Sequence, residues 1–229
     1  MTTISANLQA VSARITDVAA RFGRDPAAVR LLAVSKTWPA DDVRRAAAAG
    51  QRAFGENYVQ EGVEKVAALT GMGLEWHFIG PLQGNKTRPV AEHFDWVHSI
   101  DRLKIAERLS AQRPDSLPPL SVCVQVNVSG EASKSGCAPE EAVALAHAVA
   151  ALPRLRLRGL MAIPAPGGDF AAQRLPFRRL RQLYEQLRAG GLPLDTLSMG
   201  MSYDLEAAIA EGATLVRVGT AIFGERSTT

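Results

Sequence analysis

Apolar positions along the chain follow two rhythms. In the first two dozen residues Ile4, Leu8, Val11, Ile15, Val18 and Phe22 recur at steps of three and four. That is the spacing of one helical face, and Gly23 marks its end. The next apolar stretch, Leu31, Leu32, Ala33 and Val34, is short and unbroken, and it stops at Ser35, Lys36 and Thr37 before Trp38 and Pro39. A run of this length closed by a turn signal fits a strand covered on both faces. Pro39 with Asp41 and Asp42 then opens a helix that Gly50 closes.

The rhythms go on taking turns. Further strands are expected at residues 52–56, 74–79, 95–99, 120–128, 155–162, 196–198 and 214–218. Between them lie a helix from Asn57 with Val59, Val63 and Val66 as its buried stripe, a short helix before residue 95, and one capped by Asp101 that runs to Gln112. Asn57 with Gln60 three residues on reads as a capping box. Pro139, Glu140 and Glu141 start another helix, a long one covers residues 170–189, and Ser202 starts one that reaches Glu211. Residues 219–224 have room for a single helical turn.

Eight strands alternating with helices in 229 residues predict an α/β chain folded as a (β/α)8 TIM barrel, for which ~250 residues is typical. The expectation is one domain over residues 1–229 with an extra N-terminal helix ahead of the barrel. An open doubly wound sheet is the runner-up, weakened because no Gly-x-Gly-x-x-Gly follows a strand. No internal repeat or low-complexity linker divides the chain.

Composition narrows the function classes. The 26 Lys and Arg against 23 Asp and Glu leave a net charge of +3, too mild to call for nucleic acid. The most basic segment, residues 174–188, interleaves its arginines with Leu175, Phe177, Leu180, Leu183 and Leu187 at helical spacing, which reads as a solvated helix face. Cys123 and Cys137 form no Cys-x-x-Cys pair and stand near no histidine cluster, so a reducing compartment and no metal site are expected. Neither a signal-peptide core nor a run approaching ~20 apolar residues occurs. A cytoplasmic protein without membrane association is the expectation.

Candidate chemistry begins at Lys36, at the C-terminal end of the first strand. Ligands bind at that edge of parallel α/β proteins, and a lysine partly desolvated there can lose its proton and attack an aldehyde. Taken alone, a solvated lysine at a strand end is the better account of the residue, and the rest of the chain has to change that. His77 and His98 fall in strands and read as hydrogen-bonded core histidines, their strand-end positions leaving a catalytic role open. The loop over residues 129–136 is polar and glycine-bounded.

Barrels commonly hold phosphate with the loops after strands seven and eight. Here Ser198, Met199, Gly200, Met201 and Ser202 follow the seventh strand, and Gly219 and Thr220 follow the eighth. Small residues admit an anion to the backbone, and N–H groups at helix starts face it. Arg217 interrupts the apolar run Leu215, Val216, Val218, and a buried arginine needs a partner. An amine, a phosphate cup and an arginine together match an aldehyde-bearing phosphate ester with a polar ring, and pyridoxal 5′-phosphate fits that description.

The chain also resembles the pyridoxal phosphate homeostasis protein family, related to the barrel domain of alanine racemases. The resemblance covers nearly the whole sequence and rests on residues 32–37, 54–58, 76–80 with Leu82, Gln83, Asn85 and Lys86, 98–101, 125–127, 159–161, 197–202 with Asp204, and 217–220. It implies that Lys36 carries pyridoxal 5′-phosphate as a Schiff base, that Ser202, Gly219 and Thr220 bind the phosphate, and that Arg217 faces the pyridine nitrogen. Asn57 is carried over as a neighbour of the ring, and Tyr203 is a position where variation is expected. The implied role is vitamin B6 cofactor homeostasis by a monomeric, non-catalytic carrier that supplies apo forms of pyridoxal phosphate enzymes and so bears on amino-acid and keto-acid balance. A small pyridoxal phosphate-dependent racemase is the alternative. Racemases close their site with help from a C-terminal domain, and this chain stops at Thr229, one turn after the barrel, so weak racemase-like activity at most is expected. A cofactor-free Schiff-base aldolase is a third reading.

Overall fold

Residues 3–130 and 135–225 are described by the computed structural model. Helix α1 (Ile4–Arg21) precedes eight parallel strands that close into a barrel in sequence order, β1 (Arg30–Val34), β2 (Ala53–Glu56), β3 (Glu75–Phe78), β4 (Trp96–Ile100), β5 (Leu120–Gln125), β6 (Leu155–Met161), β7 (Thr196–Ser198) and β8 (Leu215–Val218). Leu32 of β1 pairs with Arg217 of β8, which closes the ring. The connecting helices are α2 (Ala40–Ala48), α3 (Val59–Ala68), α4 (Thr87–His93), α5 (Leu103–Gln112), α6 (Pro139–Ala150), α7 (Phe170–Ala189) and α8 (Leu205–Ala210), with the single turn α9 (Thr220–Phe223) after β8. The TIM barrel with an added N-terminal helix is therefore the fold, and the open sheet is excluded by the pairing of β1 with β8.

Strand residues alternate faces, and here the two faces differ in kind. Outward residues such as Ala33, Phe54, Phe78, Val97, Val216 and Val218 join one large core with the helices. Among the described residues the interior holds two small apolar clusters, one around Leu32, Ala53, Ile79 and Leu215 and the other of Trp96, Cys123 and Met161. Both cysteines are buried and free, and burial pushes their thiols up to about 12 for Cys123 and about 11 for Cys137. Among the described residues no helix is long and apolar enough to cross a membrane.

Several local expectations change. The capping box at Asn57 does not form: α3 begins at Val59, Tyr58 precedes it without a side-chain cap, and Gln60 bonds to Glu64 instead. The stripe Val59, Val63, Val66 is only partly buried, while Gly62 and Lys65 are the buried positions of α3. Asp101 pairs with Arg102 and does not cap α5. The helix expected from Ser202 starts at Leu205, because Met201 and Asp204 close a turn first, Asp204 Oδ1 accepting from Met201 N at 2.6 Å. β5 ends at Gln125, short of residue 128. The basic face of α7 is not simply solvated, since Arg174, Arg178 and Arg181 converge on the fully buried Glu211. Within the loop over residues 129–136, residues 131–134 lie outside the described ones.

Candidate functional site

The alternation that places Leu32 inside the barrel carries Val34 and Lys36 to the same face, and likewise Arg217 and Gly219 continue from Leu215. These residues meet at the C-terminal mouth in a cavity of about 250 Å³ lined by Val34, Lys36, Trp38, Asn57, Ile79, Ile163, Met201, Ser202, Tyr203, Arg217, Gly219, Thr220 and Gly224. All six residues singled out as cofactor-binding from the sequence line it. The volume lies just under the ~300 Å³ lower bound usual for ligand pockets, which suits one small ring-bearing molecule. Hydrophobic pattern alone did not single out the walls Trp38, Ile79, Ile163 and Met201, because an apolar residue in a turn, at a strand end or in a loop carries no signal of which cavity it borders.

Lys36 sits half-buried in a turn whose geometry is enforced from outside the barrel wall. Thr37 adopts φ 67, the left-handed region, which a β-branched residue occupies only under constraint. Its N–H donates to Glu61 Oε1 at 2.5 Å, and Trp38 N bonds to Ser35 O at 3.1 Å. Behind the turn, Lys65 Nζ donates to Ser35 O at 2.7 Å, to Glu56 Oε1 at 2.8 Å and to Glu61 Oε1 at 2.6 Å. Ser35 Oγ donates to the same Glu56 oxygen at 2.6 Å. Burial raises the Glu56 carboxyl, against the charge and hydrogen bond of Lys65. The sequence reading missed this cluster, although Lys65 lies three residues after Gly62 and four before Leu69 on one face of α3, a spacing that places it inside.

The opposite wall is built from small residues and turns. Gly219 starts α9, and a Cβ there would come 3.1 Å from Val34 O, narrowing the cradle. Ile222 and Phe223 both bond back to Gly219 O, while the first-turn N–H groups of Thr220 and Ala221 have no acceptor within the helix. The Met201–Asp204 turn presents Ser202 alongside them. Gly200, at φ 96, lets this turn pack on Ala208, whose Cβ would lie 2.5 Å from an added Cβ. Tyr203 stands at the rim, 44% exposed, and burial together with neighbouring Asp204 pushes its phenol up to about 12.

Arg217 forms part of the cavity floor, and its burial needs partners. Nη1 donates to Ser198 O and to Ser198 Oγ, both at 2.7 Å, and Nη2 donates to Ala162 O at 2.9 Å. Burial lowers its pKa to about 10, with the Asp204 charge opposing, so it stays cationic at neutral pH. His77 and His98 are fully buried core histidines bonded to each other at 2.8 Å, and neither lines the cavity. The carbonyl oxygen of the Asn57 side chain is buried without a hydrogen-bond partner. A buried acceptor left open is costly unless a ligand or water supplies a donor. Amine, cradle, guanidinium, apolar walls and an unmet acceptor fit a small aromatic phosphate ester bearing a carbonyl and a hydroxyl. Among the described residues no cluster of His, Cys, Asp and Glu could hold a metal ion.

Comparison with known proteins agrees with this geometry. The family described as alanine racemase, N-terminal domain, matches residues 6–227. A Pseudomonas aeruginosa protein named pyridoxal phosphate homeostasis protein is 67% identical over 226 residues, covering 99% of this chain and 97% of its own. The solved structure of PipY from Synechococcus elongatus with PLP bound superposes with a TM-score of 0.81 at 41% identity, covering 92% of this chain and 100% of that one. A structure of an unknown protein from Bifidobacterium adolescentis superposes with a TM-score of 0.90 at 37% identity, covering 96% and 94% of the two chains.

Proposed function

The chain belongs to the alanine racemase N-terminal-domain family, and from that premise we propose that it binds pyridoxal 5′-phosphate covalently through Lys36 and serves cofactor homeostasis as a carrier. The observation that carries this reading is the meeting of Lys36, Asn57, Ser202, Arg217, Gly219 and Thr220 around one cavity, with relatives named for pyridoxal phosphate homeostasis. When bound, the cofactor supplies an aldehyde that condenses with amines and a ring that withdraws electrons. Lys36 provides the amine. The Ser202 and Thr220 hydroxyls and the N–H groups of the α9 turn bind the phosphate, and Gly219 leaves it room. Arg217 donates to the pyridine nitrogen and, staying charged, keeps that nitrogen from taking a proton. Asn57 finds a donor for its open oxygen at the ring edge, while Ile79, Ile163 and Met201 wall the pocket with apolar surface.

The cavity is poor in proton-transfer groups. Its titratable lining consists of Lys36, Tyr203 and Arg217. The raised Tyr203 phenol and the guanidinium accept no proton at neutral pH, so among the described residues lining the cavity none serves as a base opposite Lys36 for a two-sided racemisation. Binding without turnover is the function this supports, for a cytoplasmic monomer delivering cofactor to apo enzymes. The test is borohydride reduction of the cofactor-loaded protein followed by peptide mapping. The pyridoxyl group is expected on Lys36 and absent from Lys36→Ala; label on another lysine overturns the assignment.

A further inference from the structure

A line of side chains runs through the barrel interior from Arg217 to the opposite end. Arg217 Nη1 donates to Ser198 Oγ at 2.7 Å, which lies 2.8 Å from His98 Nδ1. His98 Nε2 is 2.8 Å from His77 Nδ1, and His77 Nε2 is 2.6 Å from Glu75 Oε1. Glu75 Oε1 also accepts from Arg30 Nη2 at 2.6 Å, and Arg30 and Glu75 are the first residues of β1 and β3. The line therefore begins at the cavity and ends at the N-terminal face.

Its two ends fix the position of every proton between them. A guanidinium only donates and a carboxylate only accepts. Ser198 Oγ accepts from Arg217, so its own proton goes to His98 Nδ1. A neutral imidazole accepting at Nδ1 carries its proton on Nε2, and His98 passes that bond to His77 Nδ1. His77 in turn donates from Nε2 to Glu75. The reverse polarity leaves the Ser198 hydroxyl proton without an acceptor and sets the lone pair of His77 against a carboxylate. Burial lowers the pKa of both rings, and a proton on either would turn His98 Nδ1 into a donor and take from the Ser198 hydroxyl its acceptor. The charged groups acting on His77 are Glu75, Arg30 and Asp95, and those on His98 are Arg217 and Arg30. Trp96 stacks on His77 with ring centroids 5.2 Å apart, which locks that ring's plane.

We propose that Glu75, His77, His98 and Ser198 are positioning residues for Arg217, forming a one-way hydrogen-bonded rod that fixes the guanidinium against the pyridine nitrogen of the cofactor. The proposal rests on the reading of Arg217 as the ring-nitrogen partner. The rod is not a proton wire, because its cavity end cannot accept a proton. Its effect is orientational: a carboxylate on one face of the barrel holds a donor on the other.

The test begins with the full chain free of cofactor, by nitrogen-15 NMR of its histidine and arginine side chains. Both buried rings are expected as the neutral Nε2–H tautomer from pH 5.5 to 8, with sharp, slowly exchanging Arg217 guanidinium signals. Glu75→Met removes the terminal acceptor and is expected to mix the tautomers and broaden the Arg217 signals. It should also weaken pyridoxal phosphate retention by roughly tenfold to a hundredfold, the worth of one hydrogen bond to a charged group. Glu75→Gln keeps a carbonyl acceptor and should retain wild-type tautomers and binding. An Nδ1–H tautomer or a titrating ring in the wild type overturns the rod without need of any variant. So does a Glu75→Met protein with unchanged Arg217 signals and retention, or a Glu75→Gln protein as impaired as Glu75→Met. Borohydride labelling in parallel separates the two readings: a wild type without label at Lys36 overturns the cofactor assignment, while the ligand-free spectra still decide the rod.

Discussion

Replacing Lys65 with Met removes the only cation bonded to the buried carboxylate of Glu56 among the described contacts, and its cost can be worked out with its pH dependence. Glu56 is fully buried and Lys65 is 5% exposed. Breaking such a pair by removing one partner typically costs about 3–5 kcal/mol. Glu56 has one escape, which is to take up a proton, and holding a carboxyl protonated costs about 1.4 kcal/mol for each pH unit above its unfolded value of ~4.3. That caps the penalty near 5 kcal/mol at pH 8 and near 1.6 kcal/mol at pH 5.5. The sign follows from the direction of the shift. Burial raises the folded pKa of Glu56, so its contribution is most favourable below the unfolded value and is lost as pH rises through the folded one; Lys65→Met enlarges that loss. At about 2–4 °C per kcal/mol for a chain of this size, Tm should fall by roughly 6–20 °C at pH 8 and by less than about 6 °C at pH 5.5. Calorimetry at both pH values checks it, with Lys65→Met/Glu56→Gln as the control that restores most of the loss while keeping an acceptor for Ser35. A Lys65→Met protein whose Tm moves by under 2 °C, or equally at both pH values, would refute the reasoning.

Ser202→Ala with Thr220→Val removes two hydroxyls from the cradle, each worth about 1.5–3 kcal/mol toward a charged group; equilibrium dialysis should show sharply weaker retention of pyridoxal phosphate, and unchanged retention would remove them from the phosphate site. His77 and His98 are held neutral in the fold but take protons in the unfolded chain below about pH 6.5. Stability should therefore fall with pH below that value by up to about 2.7 kcal/mol per unit, offset in part by Glu56, and a urea midpoint flat from pH 7 to 5 contradicts the neutral assignment. Loaded protein mixed with an apo enzyme that needs pyridoxal phosphate should restore that enzyme's activity, while chiral chromatography of amino acids incubated with it should show no Lys36-dependent racemisation.

The barrel was legible because strand and helix rhythms alternate without interruption, and because each short apolar run ends in residues that cannot continue it. Lys36, Ser202, Arg217, Gly219 and Thr220 were legible for a related reason: a charged or small residue at the C-terminal end of a barrel strand has one place to point. Asn57 lines the cavity, a placement that came from the family resemblance, whereas the capping role read from its spacing does not form, since α3 begins only at Val59. The supporting groups were hidden. Neither Lys65 nor Glu211 was singled out from the sequence: the helical spacing of Lys65 hints at burial, but its partners, and the burial of Glu211, depend on the packing of α3 on β2 and of α7 on α8. The histidine rod was half visible, since two strand histidines were expected to be hydrogen-bonded, but their common line to Arg217 depends on the barrel bringing β3, β4, β7 and β8 together. Sequence separation of 100 residues between His98 and Ser198 gives no hint of that contact.

Three of the groups facing the cavity are held by others that do not line it. Lys36 rides on a turn fastened by Lys65, Glu56 and Glu61, Ser202 on a turn closed by Asp204, and Arg217 on Ser198 with the two histidines behind it. Such backing shells fix donors and amines within the narrow tolerances that binding requires. None of them delivers a proton to the cavity: Lys65 and Glu56 are spent on one another, Asp204 is tied to Met201, and the rod ends in a group that cannot accept. A racemase spends its buried charges differently, on an acid and a base poised on opposite faces of the substrate with pKa values near neutrality. The buried ionic groups behind this cavity are committed to holding its walls still, and that commitment is the physical case for a carrier.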